Sequence, residues 1–289
     1  LRRRPTAREQ EEAAARLPAR PAAAERTIAL TPEGEALAML RRRGYRPRPW
    51  PPDLPFPPGL PVERVEAFAR RLDHYAFRLF LRGALRQPAG FQPSKATRYV
   101  DGDAARAMAE SLVALGLAER SGRGRFRLLH PPRSFGGTLE WYLARELRQR
   151  LGFDTAAGLR FSAPGVGGDL DVVAAAEGRL ILLEVKSSPP RQLEEAEVKA
   201  FFDRLAVLGP DLALFVVDTA LRLGDKVVPL LSSELERRGG TSHRPRRLRR
   251  EVWTLAPRLL AVGAKGGLVT SVEQAVAFGL RARTRLAAE

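Results

Sequence analysis

The chain has 289 residues, 44% of them hydrophobic, enough for one sizeable core or two modest ones. Its 49 basic and 33 acidic residues give a formal charge of +16, which makes a polyanion, DNA first, the default partner. It holds no cysteine, which excludes disulfides and thiolate metal sites, and its three histidines, His74, His130 and His243, are too scattered for a zinc cluster. The basicity carries a bias: only Lys95, Lys186, Lys199, Lys226 and Lys265 are lysines, and asparagine is absent. A GC-rich genome produces such a composition as readily as selection for nucleic acid does. The start, LRRRPTAREQ, lacks the apolar stretch of a secretory signal, and the longest apolar runs are too short for a membrane span. The expectation is a soluble, cytoplasmic protein with no membrane partner.

Residues 1–60 are rich in Arg, Ala, Glu and Pro, and RPRPWPPDLPFPPGLP holds too many prolines for regular structure. This segment is expected to be largely disordered, with one short helix near TPEGEALAMLRRRG. From Val62, VERVEAFARRLDHYAFRLFLRGAL places Val65, Phe68, Leu72, Phe77 and Leu79 at helical spacing. A second helix is predicted over DGDAARAMAESLVALG, with Asp101 or Asp103 as its cap and Gly116 as its stop. LAERSGRGRFRLL then reads as two strands about a Ser-Gly turn. Helix, helix and basic hairpin, over 61–131, resemble a winged helix. That resemblance implies phosphate contacts from Arg106, Arg120, Arg123 and Arg125; winged helices also serve as linkers and dimerisation modules, so both readings stand.

Residues 132–289 read as a mixed α/β domain with helices on a sheet. The order is a helix over TLEWYLARELRQRLGF, strands at GDLDVVAAA and LILLEVKSS, a helix over QLEEAEVKAFFDRLAVLG and a strand at LALFVVD. The last three make a βαβ unit, hence a parallel pair. Glu194, Glu195 and Glu197 suit the helix N-terminus, and Gly209-Pro210 end it. Further strands are expected at VWTL and RLLAVG, and a last helix at SVEQ, where Ser271 and Gln274 have capping-box spacing.

The strand pair carries the chemistry. Ala176-Glu177-Gly178-Arg179 reads as a two-residue hairpin turn. With Ala176 opposite Arg179, Asp171 falls opposite Glu184 and Asp169 opposite Lys186, and alternation puts all four on one face. Opposed carboxylates with Cβ atoms roughly 4.5–5.5 Å apart repel unless something neutralises them. A shared Mg2+ would do so. A bulge would shift this register but leave Glu184 and Lys186 together. The plain alternative is a solvated strand face; against it, Leu180 and Leu182 share the face of Glu184. Glu140 lies on the apolar stripe of its helix with Leu143, Ala144, Leu147 and Leu151, whereas Glu146 falls toward the polar side. A carboxylate on a buried stripe wants a partner; the alternative is an acid at the stripe's edge reaching solvent.

Helix glutamate, Gly-x-x-Asp-Val-Val, then Glu-x-Lys, followed by helix and strand, resembles the restriction-endonuclease-like superfamily of PD-(D/E)xK nucleases, most of all the Mrr type. The resemblance covers Gly136 to Asp218. It implies Asp171 and Glu184 as metal ligands, Glu140 completing the metal shell, and Lys186 positioning the attacking water or offsetting charge on the phosphate. Leu170, not proline, precedes Asp171, and Asp169 is an extra acid. The implied cofactor is Mg2+, with Mn2+ as an alternative, and the implied activity is endonucleolytic cleavage of DNA in defence, restriction or repair. GGTLEWY also resembles the nuclease half of CRISPR ancillary effectors, which keeps an RNA- or single-strand nuclease open; a non-cleaving nucleic-acid-binding protein is the third reading. Dimerisation is common in this fold, so a homodimer is implied by the resemblance alone. Basic RPRRLRR, with Arg246 and Arg247, is a candidate backbone contact or a solvated loop.

Overall fold

The computed structural model describes residues 34–239 and 244–281. The expected disorder over 1–33 and the location of His243 lie outside the described residues. The short helix expected near TPEGEALAMLRRRG is present as α1 (Glu35–Arg42), and the proline-rich stretch after it contributes a two-residue edge strand, β1 (Arg48–Pro49).

The helical segment from Val62 is two helices, α2 (Val62–Leu72) and α3 (Tyr75–Leu85), broken at Asp73-His74. A single turn, α4 (Pro93–Ala96), follows, then α5 (Gly102–Ala114), whose N-cap is Asp101: its carboxylate accepts from the Ala104 N–H at 2.7 Å. The hairpin is β2 (Ala118–Gly122) and β3 (Arg125–Leu128). Its turn is Arg123-Gly124, not Ser-Gly, because a bulge between Arg120 and Gly122 moves the tip along. Phe91 and Phe126 exchange backbone bonds of 2.7 and 2.9 Å, tying the hairpin to the α3–α4 connection.

Beyond it come α6 (Gly136–Leu151), β4 (Asp154–Ala163), β5 (Val166–Ala176), β6 (Arg179–Lys186), a 3-10 turn (Pro190–Gln192), α7 (Glu195–Leu208), β7 (Leu212–Val217), α8 (Val227–Arg237), β8 (Arg246–Arg249), β9 (Val252–Ala256), β10 (Leu259–Gly263) and α9 (Leu268–Arg281). Eight strands form one mixed sheet in the order β1-β4-β5-β6-β7-β10-β9-β8. The β6–α7–β7 crossover gives the expected parallel pair, and β10 extends it in parallel. α1, α7 and α8 cover one face of the sheet, against Val173, Leu182, Phe215 and Ala261. α6, α9 and the α2–α5 helices cover the other, against Val172, Leu183, Leu214 and Val262. Both faces of the central strands are therefore buried, which is why they read as continuous apolar runs.

Three expectations need correcting. α9 begins three residues before Ser271, which is buried inside the helix and caps nothing. Glu146 is buried and Leu151 is 37% exposed. The reason is that α6 is packed on a second side, against α2 and α3: Gln149 donates to Glu66 at 3.2 Å, Tyr142 bonds Asp73, and Glu146 is held by Arg145 and Arg150. RPRRLRR is an edge strand, β8, with Arg246, Arg247 and Arg249 exposed.

Candidate active site

The hairpin turn is as expected. Glu177 and Gly178 both have positive φ, 51° and 69°, which is a type I′ turn, and Ala176 pairs with Arg179. The register carries Asp171 to the level of Glu184, but the ladder itself stops one step earlier, at Val172–Leu183. There the Asp171 carboxylate takes over: its Oδ2 accepts from the Val185 N–H at 2.7 Å. The side chain thus bridges the mouth of a fork between β5 and β6.

The cause lies on the neighbouring strand. Gly158 of β4 sits at the level of Asp171 with φ 61°, a conformation that only glycine adopts without strain, and this one step is missing from the β4–β5 pairing. Alternation slips here. Val173 and Ala175 face the α7 core, and so does Leu170, which lies an odd number of residues away. Asp169 therefore does not share a face with Glu184 and Lys186; it is exposed, pairs opposite Arg160, and lies on the far side from α7. The expectation of four charges on one face fails at this position, because regular alternation does not survive an αL residue in the partner strand.

Glu184 and Lys186 do face α7. Glu184 is 4% exposed. Its Oε2 accepts from Arg204 Nη2 at 2.6 Å, and its Oε1 lies 3.1 Å from Lys186 Nζ. Lys186 reaches on to Glu197 Oε1 at 2.9 Å. Glu197 is also the N3 residue of the α7 capping box, its Oε2 accepting from the Glu194 N–H at 3.1 Å. One helix end thus orients the lysine. Burial works against the Lys186 charge, but Glu184 and Glu197 outweigh it and hold its pKa above the usual lysine value.

Glu140 enters from α6, on the opposite face of the sheet. It is half-buried and has no hydrogen-bond or ion-pair partner among the described residues. Burial, then Asp169 and Glu184, push its carboxyl up to about 7. Burial, with Glu184 and Glu140, pushes Asp171 well above the ordinary aspartate range, against the bond from Val185. The sheet fork therefore gathers Glu140, Asp171, Glu184 and Lys186 into one electrostatic unit with an excess of negative charge, and Asp169 feeds into it through Glu140.

Hard oxygen donors in mutual repulsion suit a divalent cation of the Mg2+ type. Asp171 has one oxygen free of the Val185 bond, and Glu140 is unpartnered. Glu184 has both oxygens engaged by cations. Among the described residues no three His, Cys, Asp or Glu side chains are grouped closely enough to hold a metal as they stand. Glu140, Asp171 and Glu184 are the acids that would hold one.

The fold has a solved counterpart. Over 84% of this chain and 62% of the other, it superimposes on protein VC1899 from Vibrio cholerae with a TM-score of 0.50 at 15% identity. A second match, at TM-score 0.40 and 18% identity, covers 63% of this chain and 50% of Can2 from Sulfobacillus thermosulfidooxidans, solved with cyclic tetra-adenylate. The chain thus spans less than two thirds of either structure. No protein-family model matches the sequence, and no curated protein does.

Arg204 and Glu197 join the candidate site unexpected; the sequence marks Glu197 only as an acid at the helix N-terminus. Arg204 carries a signal of the kind that singled out Glu140: it falls on the buried stripe of α7 with Phe201 and Leu208. Of the candidate nucleic-acid contacts, Arg106, Arg123, Arg246 and Arg247 are exposed. Arg120 pairs with Glu110 at 2.7 Å, and Arg125 donates to the Gly90 carbonyl at 2.7 Å, so neither is idle. No described helix is long and apolar enough to cross a membrane.

Proposed function

We propose that this chain is a metal-dependent phosphodiesterase of the restriction-endonuclease-like kind, cutting DNA. The observation that carries the reading is the fork between β5 and β6. Three acids, from two strands and a helix, approach this fork with more negative charge than Lys186 and Arg204 balance, and Lys186, two residues beyond Glu184, is held charged beside it. A divalent cation of the Mg2+ or Mn2+ type, when bound, would balance the carboxylates, polarise a phosphate oxygen and make water a better nucleophile.

The chain's own part is positioning. Val185 fixes Asp171 in the sheet plane, and Arg204 fixes Glu184 against α7. Lys186, aimed by Glu184 and Glu197, offers a compact positive charge to the equatorial oxygens of the scissile phosphate as charge accumulates there. The α2–α5 and hairpin module is proposed as winged-helix-like, with Arg106 and Arg123 on its free surface as backbone contacts; Arg246 and Arg247 on β8 are a second such pair. Defence, restriction or repair is the proposed setting, and a homodimer would allow both strands to be cut.

The test is cleavage of plasmid, single-stranded DNA and RNA with Mg2+ or Mn2+. Wild type is expected to cut DNA, and Lys186→Ala to cut about 10²–10³-fold more slowly. Wild type and variant equally inert on every substrate would end the catalytic reading; cleavage of RNA alone would move it to an RNA nuclease.

A further inference from the structure

A cleft of about 380 Å3 opens between the α3–α4 segment and the turn Pro190–Gln192. Arg82, Arg86, Lys95, Arg98 and Arg191 line it, and no acidic side chain does. Some surface arginines are paired, Arg42 with Glu35, Arg127 with Glu119, Arg237 with Glu234 and Arg238 with Asp203, and others, such as Arg106 and Arg123, stand singly. In the cleft, Arg86, Lys95, Arg98 and Arg191 have no acidic partner among the described residues. Arg82 alone is paired, with Asp218 at 2.8 Å, and its Nε is buried without a hydrogen-bond partner. Like charges gathered in this way repel unless an anion joins them.

The crowding is built in. A Cβ on Gly83 of α3 would fall 1.6 Å from the Ala96 carbonyl oxygen. Only glycine lets α4 approach so closely, and that contact carries Lys95 and Arg98 to the cleft. Tyr99 stands at the rim, 62% exposed, with the Arg98 guanidinium 5.3 Å from its ring centre. The cleft also adjoins the candidate active site. Pro189, on its wall, follows closely on Lys186, and Asp218, the partner of Arg82, donates its N–H to the Lys186 carbonyl at 2.9 Å.

We infer that this cleft binds the sugar–phosphate backbone of a single-stranded polynucleotide, stacks a base on Tyr99, and leads the strand to Lys186. Four unpaired cations match phosphates along a strand. An exposed ring matches a base whose face is free, which a duplex does not offer. The inference rests on the nuclease reading only for the fate of the strand, and binding does not require it.

The test is fluorescence anisotropy of the full chain in EDTA, with labelled oligothymidylate, oligouridylate and a duplex of the same length. Wild type is expected to prefer a single strand. Arg86→Ala, Lys95→Ala and Arg98→Ala together are expected to weaken binding tenfold or more and to flatten the salt slope by about 2, at ~0.7 per phosphate contact. Arg42→Ala, Arg127→Ala and Arg237→Ala, the same change in charge at paired sites, are expected to do far less. Tyr99→Ala is expected to cost about five- to a hundredfold and Tyr99→Phe little. Equal weakening by the two triple variants, tighter binding of duplex, or no binding of any strand overturns the inference. An oligodeoxyuridylate of the same length, compared with oligouridylate, identifies the sugar. Loss of cleavage with cleft-dependent binding intact counts against the nuclease reading alone.

Discussion

Two buried acids sit at the ends of neighbouring parallel strands, and they are treated differently. Asp218, just past β7, is met by Arg78 with paired bonds of 2.9 and 3.0 Å and by Arg82 at 2.8 Å. Arg78 and the Asp218 carboxylate are both fully enclosed, and Arg78 also donates to the carbonyls of Leu72 and Asp73. Glu184, on β6, is met by Arg204 and Lys186, but Asp171 and Glu140 crowd the same place without cations of their own. In the first cluster the acid is matched within the chain and ties α3 to the sheet; only Arg82 Nε is left without a partner. In the second the acids are not matched, and its surplus charge is what a ligand would neutralise. Balance marks an acid that serves the fold, and imbalance one that a ligand would complete.

Breaking the balanced cluster is expected to have the largest effect. Arg78→Ala leaves Asp218 buried with one cation, and unfolding by denaturant should show a loss of about 3–5 kcal/mol. Replacing both partners, Arg78→Met with Asp218→Leu, should recover much of that, since the penalty belongs to the stranded charge. A loss under about 1 kcal/mol for the single variant would show that the cluster is not structural and that the contrast is wrong.

Arg204 sharpens the contrast, because it belongs to both worlds. It is 7% exposed and, unlike Arg78, makes a single bond, its Nε being buried without a partner; the carboxylate it holds is one of the crowded ones. Arg204→Met should cost about 1–3 kcal/mol of stability, the range for a lost charged hydrogen bond. Cleavage should fall further than the folded fraction does, in kcat with KM little changed, because Arg204 touches no substrate and acts through Glu184. Arg204→Lys should restore part of the rate. A change in KM alone would place Arg204 in substrate binding.

The same contrast explains what the sequence made legible. Turn chemistry at Glu177-Gly178 set the β5–β6 register, and the charged residues on apolar strands and on the α6 stripe picked out Glu140, Asp171, Glu184 and Lys186. These signals are local: an offset of a few residues settles them. The side of Asp169 depends on Gly158 of β4, a strand absent from the sequence-predicted elements, whose alternation over Leu159-Arg160-Phe161-Ser162 starts only after Gly158. Glu146 was misplaced because α6 is buried by α2 and α3 as well as by the sheet, and a second apolar neighbour leaves no trace in a helix's own period. The Asp218–Arg78–Arg82 cluster joins residues far apart in sequence, and in an arginine-rich chain no single arginine advertises its partner.

The surplus charge also makes stability depend on pH. Glu140 and Asp171 both have folded pKa values above their unfolded ones, Glu140 at about 7 against 4.5. Such groups contribute most below the unfolded value, and their contribution is lost as pH rises through the folded one. The metal-free protein should therefore be more stable at pH 5 than at pH 8, by about 2 kcal/mol from Glu140, with Asp171 acting in the same direction. Mg2+ should reverse the trend, stabilising at pH 8 far more than at pH 5, where protons compete with it. Glu140→Gln removes one titrating acid, so its melting temperature in EDTA should depend less on pH than that of wild type and exceed it at pH 8. If Glu140→Gln and wild type show the same slope, the crowding at the fork is not felt by Glu140, and the imbalance that separates the two strand ends would have to rest on Asp171 alone.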